Sequence, residues 1–297
     1  MSERMNKLRI KSIGWYKPPL SQIDRINEGF LQNNCELIED GKVDFIYNHD
    51  FSQIEKAYQY KLKYSKSKYL QKVLDLSLHS KPDLNGLKQK LLRADLILTN
   101  SQTIQNQVKE YLDLDSVVVY DAIKDVSYNP EIKKEIDFII IGRNLDPNKR
   151  GYLFEQLIEL PENKNRIFYS IGPESLPTIK NNYLGIINDE TLNQIYNSSK
   201  FVCCFGLEEG LNLPLVESLI CGSIPIVCKD MTTYKEICPL GFGCESNVES
   251  INNLIKELEE DYILYQKKAL DYGQKYKIFF DKKTAAKRII DAFLKLK

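Results

Sequence analysis

A chain of 297 residues with 41 basic and 41 acidic side chains carries no net charge, which argues against a general polyanion-binding role and hence against nucleic acid as its partner. That length is enough for two domains of ordinary size, which bury their cores without staples. Seven cysteines with no CxxC pair among them argue against a disulfide framework and for buried, reduced thiols in a cytoplasmic protein.

The opening MSERMNKLRIKS lacks the apolar core of a signal peptide, and no apolar run is long enough to span a bilayer. In chain order, LRIKSIG (8–14), CELIE (35–39), VDFIY (43–47), KVLDLSL (72–78), DLILTN (95–100) and SVVVY (116–120) predict strands. The amphipathic stretches 22–32, 52–66, 84–94 and 102–112 predict helices between them. A polar segment, DAIKDVSYNPEIKKE (121–135), carries Pro130 and marks a boundary. The alternation then restarts with strands at 137–142, 166–172, 183–187, 201–205 and 224–228, and helices at 150–159, 189–198 and 214–221. The end of the chain reads as one or two helices with a break near Asp281. Strands alternating with helices, most strands apolar throughout, predict an α/β fold with parallel sheets covered on both faces. Two such series predict two Rossmann-like domains, residues 1–129 and 130–279.

No strand is followed by GxGxxG, and neither GxxxxGK[ST] nor GxSxG occurs, so dinucleotide, P-loop and hydrolase-elbow chemistry are not indicated. Ligands of open parallel sheets bind beyond the carboxyl ends of the strands, which for two facing sheets is a cleft between domains. The most informative run lies at such an end. KFVCCF closes a strand at Phe205, the loop GLEEGLNL follows, and Pro214 is suited to open a helix. Glu209 falls in the loop and Glu217 in the expected first turn of the helix, eight positions apart. A helix N-terminus attracts phosphate, and a carboxylate accepts two hydrogen bonds from neighbouring hydroxyls. A sugar on one side, a diphosphate in the middle and a ribose on the other would suit this arrangement, which describes a nucleotide sugar. Read alone, either glutamate is also an ordinary acid at a helix start.

EGLNLPLVESLICGSIP, with Glu209, Gly210, Leu213, Pro214, Glu217, Gly222 and Pro225, resembles the E-x(7)-E signature of the family 4 group of retaining GT-B glycosyltransferases. Asn212 stands where that family has Gly, and Asn tolerates left-handed backbone angles better than most residues. The resemblance covers nearly all of residues 94–245. It implies a GT-B fold in which the final helix, 280–297, returns to the N-terminal acceptor-side domain and residues 130–279 bind the nucleotide sugar. It further implies that Glu209 binds hydroxyls of the transferred sugar, that Glu217 binds the ribose, and that the amides of Leu211, Asn212 and Leu213 hold the diphosphate. IIIGRNLDPNKRGYLFEQL resembles the family segment whose Arg and Lys steady the departing diphosphate. Arg143 is the clear match, Lys149 the chosen lysine and Arg150 the runner-up. The loop after YLGII implies backbone contacts to the base near Ile187. Gly14, in IGWYKPP, occupies the family's first loop near the diphosphate, and Trp15 and Tyr16 beside it would form an aromatic platform for a sugar acceptor.

The chain's two histidines, His49 and His79, both follow predicted strands. His79 resembles the family histidine near the donor sugar, and His49 with Asp50 would line an acceptor pocket. DLD, 113–115, lies between a helix and a strand and reads as a solvated loop, and no His/Cys cluster has metal spacing. The expectation is therefore a hexosyltransferase-like enzyme. It moves a sugar, with retention, from a UDP- or GDP-sugar to a hydroxyl of a glycan, lipid or glycoprotein, and it requires no cofactor, metal or protein nucleophile. A lipid acceptor would bring the chain to a membrane surface, although only YKLKYSKSKY (60–69) hints at a basic helix. The alternatives are a non-catalytic nucleotide-sugar-binding protein on the same fold and, less favoured, a GT-B epimerase.

Overall fold

The computed structural model describes residues 7–14, 22–179 and 181–296. The chain divides into two units, Met1–Ala122 with Phe279–Lys297, and Ile123–Ile278. Residues 123–129, expected in the first domain, belong to the second unit, where Ser127 N donates to Asn193 Oδ1 (2.9 Å) and Asn129 N to Asn197 Oδ1 (2.7 Å).

The first unit holds β1 (Arg9–Ile13), α1 (Gln22–Gln32), β2 (Glu36–Leu37), β3 (Phe45–Asn48), α2 (Ile54–Lys63), β4 (Lys68–Val73), α3 (Leu84–Leu91), β5 (Leu96–Thr99), α4 (Gln102–Leu112) and β6 (Val117–Val118). The strands form one parallel sheet in the order β2-β1-β3-β4-β5-β6. Helix α4 shows why these elements form where they do. The Ser101 hydroxyl caps it by accepting from Ile104 N (3.2 Å), and Ile104, Val108 and Leu112 recur at helical spacing and are buried. Strand β3, FIYN, is buried along its whole length, as expected of a strand covered on both faces.

The second unit holds β7 (Ile136–Ile141), α5 (Gly151–Glu159), β8 (Phe168–Ile171), α6 (Asp189–Ser198), β9 (Ser199–Cys204), α7 (Leu213–Ile220), β10 (Ile224–Cys228), α8 (Tyr234–Ile237), β11 (Gly243–Cys244), α9 (Val248–Glu260) and α10 (Tyr262–Phe279). The parallel sheet runs β11-β10-β9-β7-β8. Phe138 on β7, between β8 and β9, stacks between Phe168 and Phe201, with ring centroids 4.9 and 5.2 Å away. All seven cysteines are free, and burial pushes the Cys203 and Cys204 thiols well above their ordinary pKa. Helix α9, absent from the sequence reading, buries Ile251, Leu254, Ile255 and Leu258 on one face.

Two predicted strands are corrected. Strand β4 occupies residues 68–73 rather than 72–78. Its polar Gln71 and Lys72 are wholly buried, so its sequence does not look like an interior strand. Gln71 Oε1 accepts from Asn48 Nδ2 (2.6 Å), which removes the cost of burying that amide. Residues 183–187 form only a bridge at Tyr183, because Gly185 turns the chain at φ +66°.

After α10 the chain re-enters the first unit as α11 (Lys282–Leu294), capped by Asp281, which accepts from Thr284 N (3.0 Å). Ala285, Ala286, Ile289 and Phe293 complete the core formed by Ile23, Ile26 and Phe30 of α1 with the sheet. The two helices meet closely at Gly29, where a Cβ would lie 2.1 Å from the Lys282 carbonyl oxygen. Helix propensity alone makes Gly29→Ala stabilising by about 0.5–1 kcal/mol. The contact reverses the sign, because a backbone oxygen cannot swing aside, and we expect a loss of about 1–3 kcal/mol. A urea midpoint equal to or above that of the wild type would contradict this packing.

Candidate functional site

Of the predicted site residues of the second unit, Lys149, Glu209, Leu211, Asn212 and Leu213 gather where β7 and β9 end and α7 begins. Strand β7 leaves the sheet through Gly142, at φ +137°. A Cβ on Gly172, which follows β8, would sit 1.9 Å from the Gly142 oxygen, so the two strand ends can approach only as glycines. Asn144 ties this corner to β8 by donating to Ser170 Oγ (2.9 Å) and to the Ile171 oxygen (3.3 Å). A 3-10 turn, Pro147–Lys149, follows and is capped by Asp146, whose carboxylate accepts from Asn148 N (3.0 Å).

Lys149 projects from this turn onto the loop after β9. Its Nζ lies 2.6 Å from Glu209 Oε1. The two residues line a cavity of ≈ 160 Å³ together with Asn144, Phe205, Leu211 and Asn212. Glu209 itself is only 8% exposed. Asn212 caps α7, and its side chain accepts from Leu215 N (3.1 Å). It does so at φ −80°, so the expected left-handed turn at this position is corrected: a capping Asn needs none. Leu213 is the first residue of α7, and Pro214 offers no N–H. The amides that can face an anion here are therefore those of 211–213.

Arg150, the runner-up to Lys149, points elsewhere. Held at φ +51°, it is 7% exposed. Nε donates to the Phe205 oxygen (2.6 Å) and Nη2 to the Gly206 oxygen (3.3 Å), while Nη1 and Nη2 form a fork onto Asp230 at 2.8 and 2.9 Å. The guanidinium hydrogen bonds hold the Asp230 carboxyl below the usual carboxylate range. Arg143 is instead exposed and pairs with Asp146 at 3.2 Å, and it does not line the cavity.

Glu217 sits in the second turn of α7 rather than the first, and the side chain is buried away from the cavity. Its Oε2 accepts from the Tyr196 hydroxyl (3.0 Å) and its Oε1 from Lys124 N (3.2 Å). Burial, and then the Glu217 charge, drive the Tyr196 pKa well above its ordinary value. Lys124 Nζ in turn pairs with Asp189 at 2.5 Å. Gly210 lies buried in the loop between Glu209 and Leu211, whereas Ile187 is half-buried before α6 and does not line the cavity.

The remaining candidates belong to the first unit. Gly14 follows β1, where a Cβ would press on Ile23 at 3.1 Å, and Trp15 and Tyr16 lie outside the described residues. His79 is not at a strand's carboxyl end but exposed in a 3-10 turn, Leu78–Ser80, flanked by left-handed Ser77 and Lys81. His49 does follow its strand directly. It is 6% exposed, and its Nε2 lies 3.6 Å from Asp121 Oδ1. The ammonium of Lys72 lies 3.3 Å from the same oxygen. Burial works against charge on Asp121, but Lys72 and His49 together keep its pKa below the carboxylate range. Neither Lys72 nor Asp121 was anticipated, since nothing local marks them.

Among the described residues, no group of three or more His, Cys, Asp or Glu is placed to hold a metal ion. The DLD acids, Asp113 and Asp115, pair with Lys109 at 3.0 and 3.2 Å. No described helix is long and apolar enough to cross a membrane.

No family model matches the chain, and no curated protein does. Solved structures match over nearly its whole length. HepE of Anabaena, in complex with UDP and glucose, matches with a TM-score of 0.77 and 15% identity, covering 97% of this chain and 100% of that one. A glycosyltransferase from Rickettsia africae matches with a TM-score of 0.68 and 12% identity over 98% and 99% of the two chains. Sucrose-phosphate synthase from Thermosynechococcus elongatus gives 0.68 and 12% over 86% and 74%. At such identities the likeness is one of fold. The architecture is α/β of the GT-B kind, with two Rossmann-like units each built on a parallel sheet.

The Arg150–Asp230 fork has a pH signature. A carboxylate whose folded pKa is depressed contributes stability that is fully present above its unfolded value, about 3.9, and lost as pH falls through the folded one. Asp230→Asn should therefore be less stable than wild type at pH 7, and the gap should narrow as pH falls below about 4. Thermal melts across pH 2.5–7 whose two curves stay parallel would rule out this contribution.

Proposed function

We propose that the protein is a retaining glycosyltransferase that takes a sugar from a UDP-sugar and places it on a hydroxyl acceptor. The observation that carries this reading is the Lys149–Glu209 pair, with Nζ and Oε1 2.6 Å apart beside the N-terminus of α7. A GT-B fold supports it, as do neighbours of that fold solved with UDP and with UDP-glucose. On this reading Glu209 accepts hydrogen bonds from hydroxyls of the transferred sugar. Lys149 turns its charge toward the diphosphate, and the 211–213 amides complete the anion site.

The reaction then follows from where charge develops. The acceptor hydroxyl attacks the anomeric carbon on the face from which the diphosphate leaves. The carbon–phosphate oxygen bond breaks, the new glycosidic bond forms, and the hydroxyl proton passes to a phosphate oxygen of the leaving group. Negative charge grows on the diphosphate, where a fixed ammonium and helix-terminal amides act most strongly. Arg143, exposed and paired with Asp146 at 3.2 Å, can join them at little cost, since such exposed pairs are weak. For Glu217 to bind ribose, a ribose hydroxyl must reach its carboxylate beside the Lys124 amide and the Tyr196 hydroxyl, or in place of one of them. The acceptor is a hydroxyl of a glycan or a lipid.

Calorimetry with UDP, GDP, ADP and dTDP, followed by turnover of UDP-glucose, tests this reading. We expect UDP to bind and Lys149→Ala to weaken it by about 1.5–3 kcal/mol, the scale of a hydrogen bond to a charged group. Glu209→Ala should lower donor turnover by about 100-fold or more, as for other groups that steady a transition state. Full turnover in Glu209→Ala would sink its role. Binding of UDP with no consumption of any UDP-sugar would leave a nucleotide-sugar-binding protein instead.

A further inference from the structure

We propose that Asn148 is a positioning residue that fixes the Lys149–Glu209 geometry and thereby the rate of donor cleavage, an inference that rests on the reading of the site given above. Asn148 is 8% exposed and does not line the cavity, so it acts only through what it holds. Its Nδ2 donates to the Glu208 oxygen (2.9 Å), and its Oδ1 accepts from Glu208 N (2.7 Å). Its own backbone oxygen accepts from Leu207 N (2.9 Å). The planar amide thus grips both polar ends of one loop residue, as a neighbouring strand would. The two functional side chains each hang one residue from this grip, Lys149 after Asn148 and Glu209 after Glu208.

Only an amide satisfies this geometry, because one end must donate while the other accepts. An aspartate of the same shape keeps the bond to Glu208 N but sets oxygen against oxygen at the Glu208 carbonyl. The flanking turn does not depend on the side chain, since the Asp146 cap and Pro147 hold the 3-10 turn from the other side. Arg150 holds the loop independently at Phe205 and Gly206. Removing the amide should therefore loosen residues 207–209 without emptying the site. Misplacement by about 1 Å is enough to cost about 100-fold in a reaction that depends on alignment, whereas affinity for the nucleotide should change little.

The test uses the full chain with N148A and N148D. It measures UDP affinity by calorimetry, kcat for UDP-glucose cleavage, and amide exchange by mass spectrometry over residues 205–209. We expect UDP affinity within about 3-fold of wild type, kcat lower by about 10- to 100-fold in both variants, and faster exchange at Leu207 and Glu208 with the rest of the second unit unchanged. Wild-type kcat in N148D would show that the side chain only fills space and overturn the proposal. Affinity falling in step with kcat would overturn it too, as general damage to the site. A wild-type protein that consumes no UDP-glucose would bring down the functional reading and this inference together. An active wild type with an equally active N148A would bring down this inference alone.

Discussion

A guanidinium cannot be left in a protein interior without partners, and Arg150 meets this demand with the carbonyls of Phe205 and Gly206 and the carboxylate of Asp230. These partners come from two different strand ends, the loop after β9 and the turn after β10. Satisfying one cation therefore draws three segments together at the carboxyl edge of the sheet. Lys149 and Asn148 precede Arg150 directly, so they are delivered to the same loop by the same constraint. Gly206 fits this crowding. A Cβ there would meet Glu209 Oε1 at 2.0 Å, and any side chain would push the carboxylate away from the lysine.

The two carboxylates of the E-x(7)-E run answer to different surroundings although they share one short stretch of sequence. Glu209 borders the cavity with a lysine as its ionic partner. Glu217 faces inward from α7, where the Tyr196 hydroxyl and the Lys124 backbone amide donate to its oxygens. Each carboxylate oxygen can accept more than one hydrogen bond, so these oxygens keep room for a further donor. A ribose hydroxyl would be such a donor.

Much of this arrangement was legible in the sequence because it is local. The alternation of apolar strands and amphipathic helices gave the α/β class. Helix 102–112 and strand 224–228 fall within the same residues in the structure. Glu209 and Lys149, the latter chosen over Arg150, are named from the resemblance of their runs to a family pattern, and the structure pairs them. Failures trace to interactions that no window of sequence contains. Strand β4 looked polar because Gln71 and Lys72 are buried against partners 23 and 47 residues away. Backbone freedom alone makes Asn212 a poor substitute for glycine, whereas the residue works through its side chain as a helix cap. Locally Arg150 is interchangeable with the neighbouring lysine, and only Asp230, 80 residues on, sets it apart.

The first unit shows the same physics applied to a different end. Lys72, His49 and Asp121 also assemble at the carboxyl edge of a parallel sheet, and Asp121 directly precedes Ala122, where that unit hands the chain on. Here, however, the ammonium donates to the Val119 backbone oxygen and lies 3.3 Å from Asp121 Oδ1, so cation and anion are paired within the core. In the second unit the structural cation and the site cation are separate residues. Arg150 takes the interior carbonyls, and Lys149, one residue earlier, is left beside the cavity with a single carboxylate. That division of labour between neighbouring cations is what allows one to be locked in place while the other remains able to exchange its partner for a ligand's charge. A single lysine required to do both would lose whichever role the ligand interrupted.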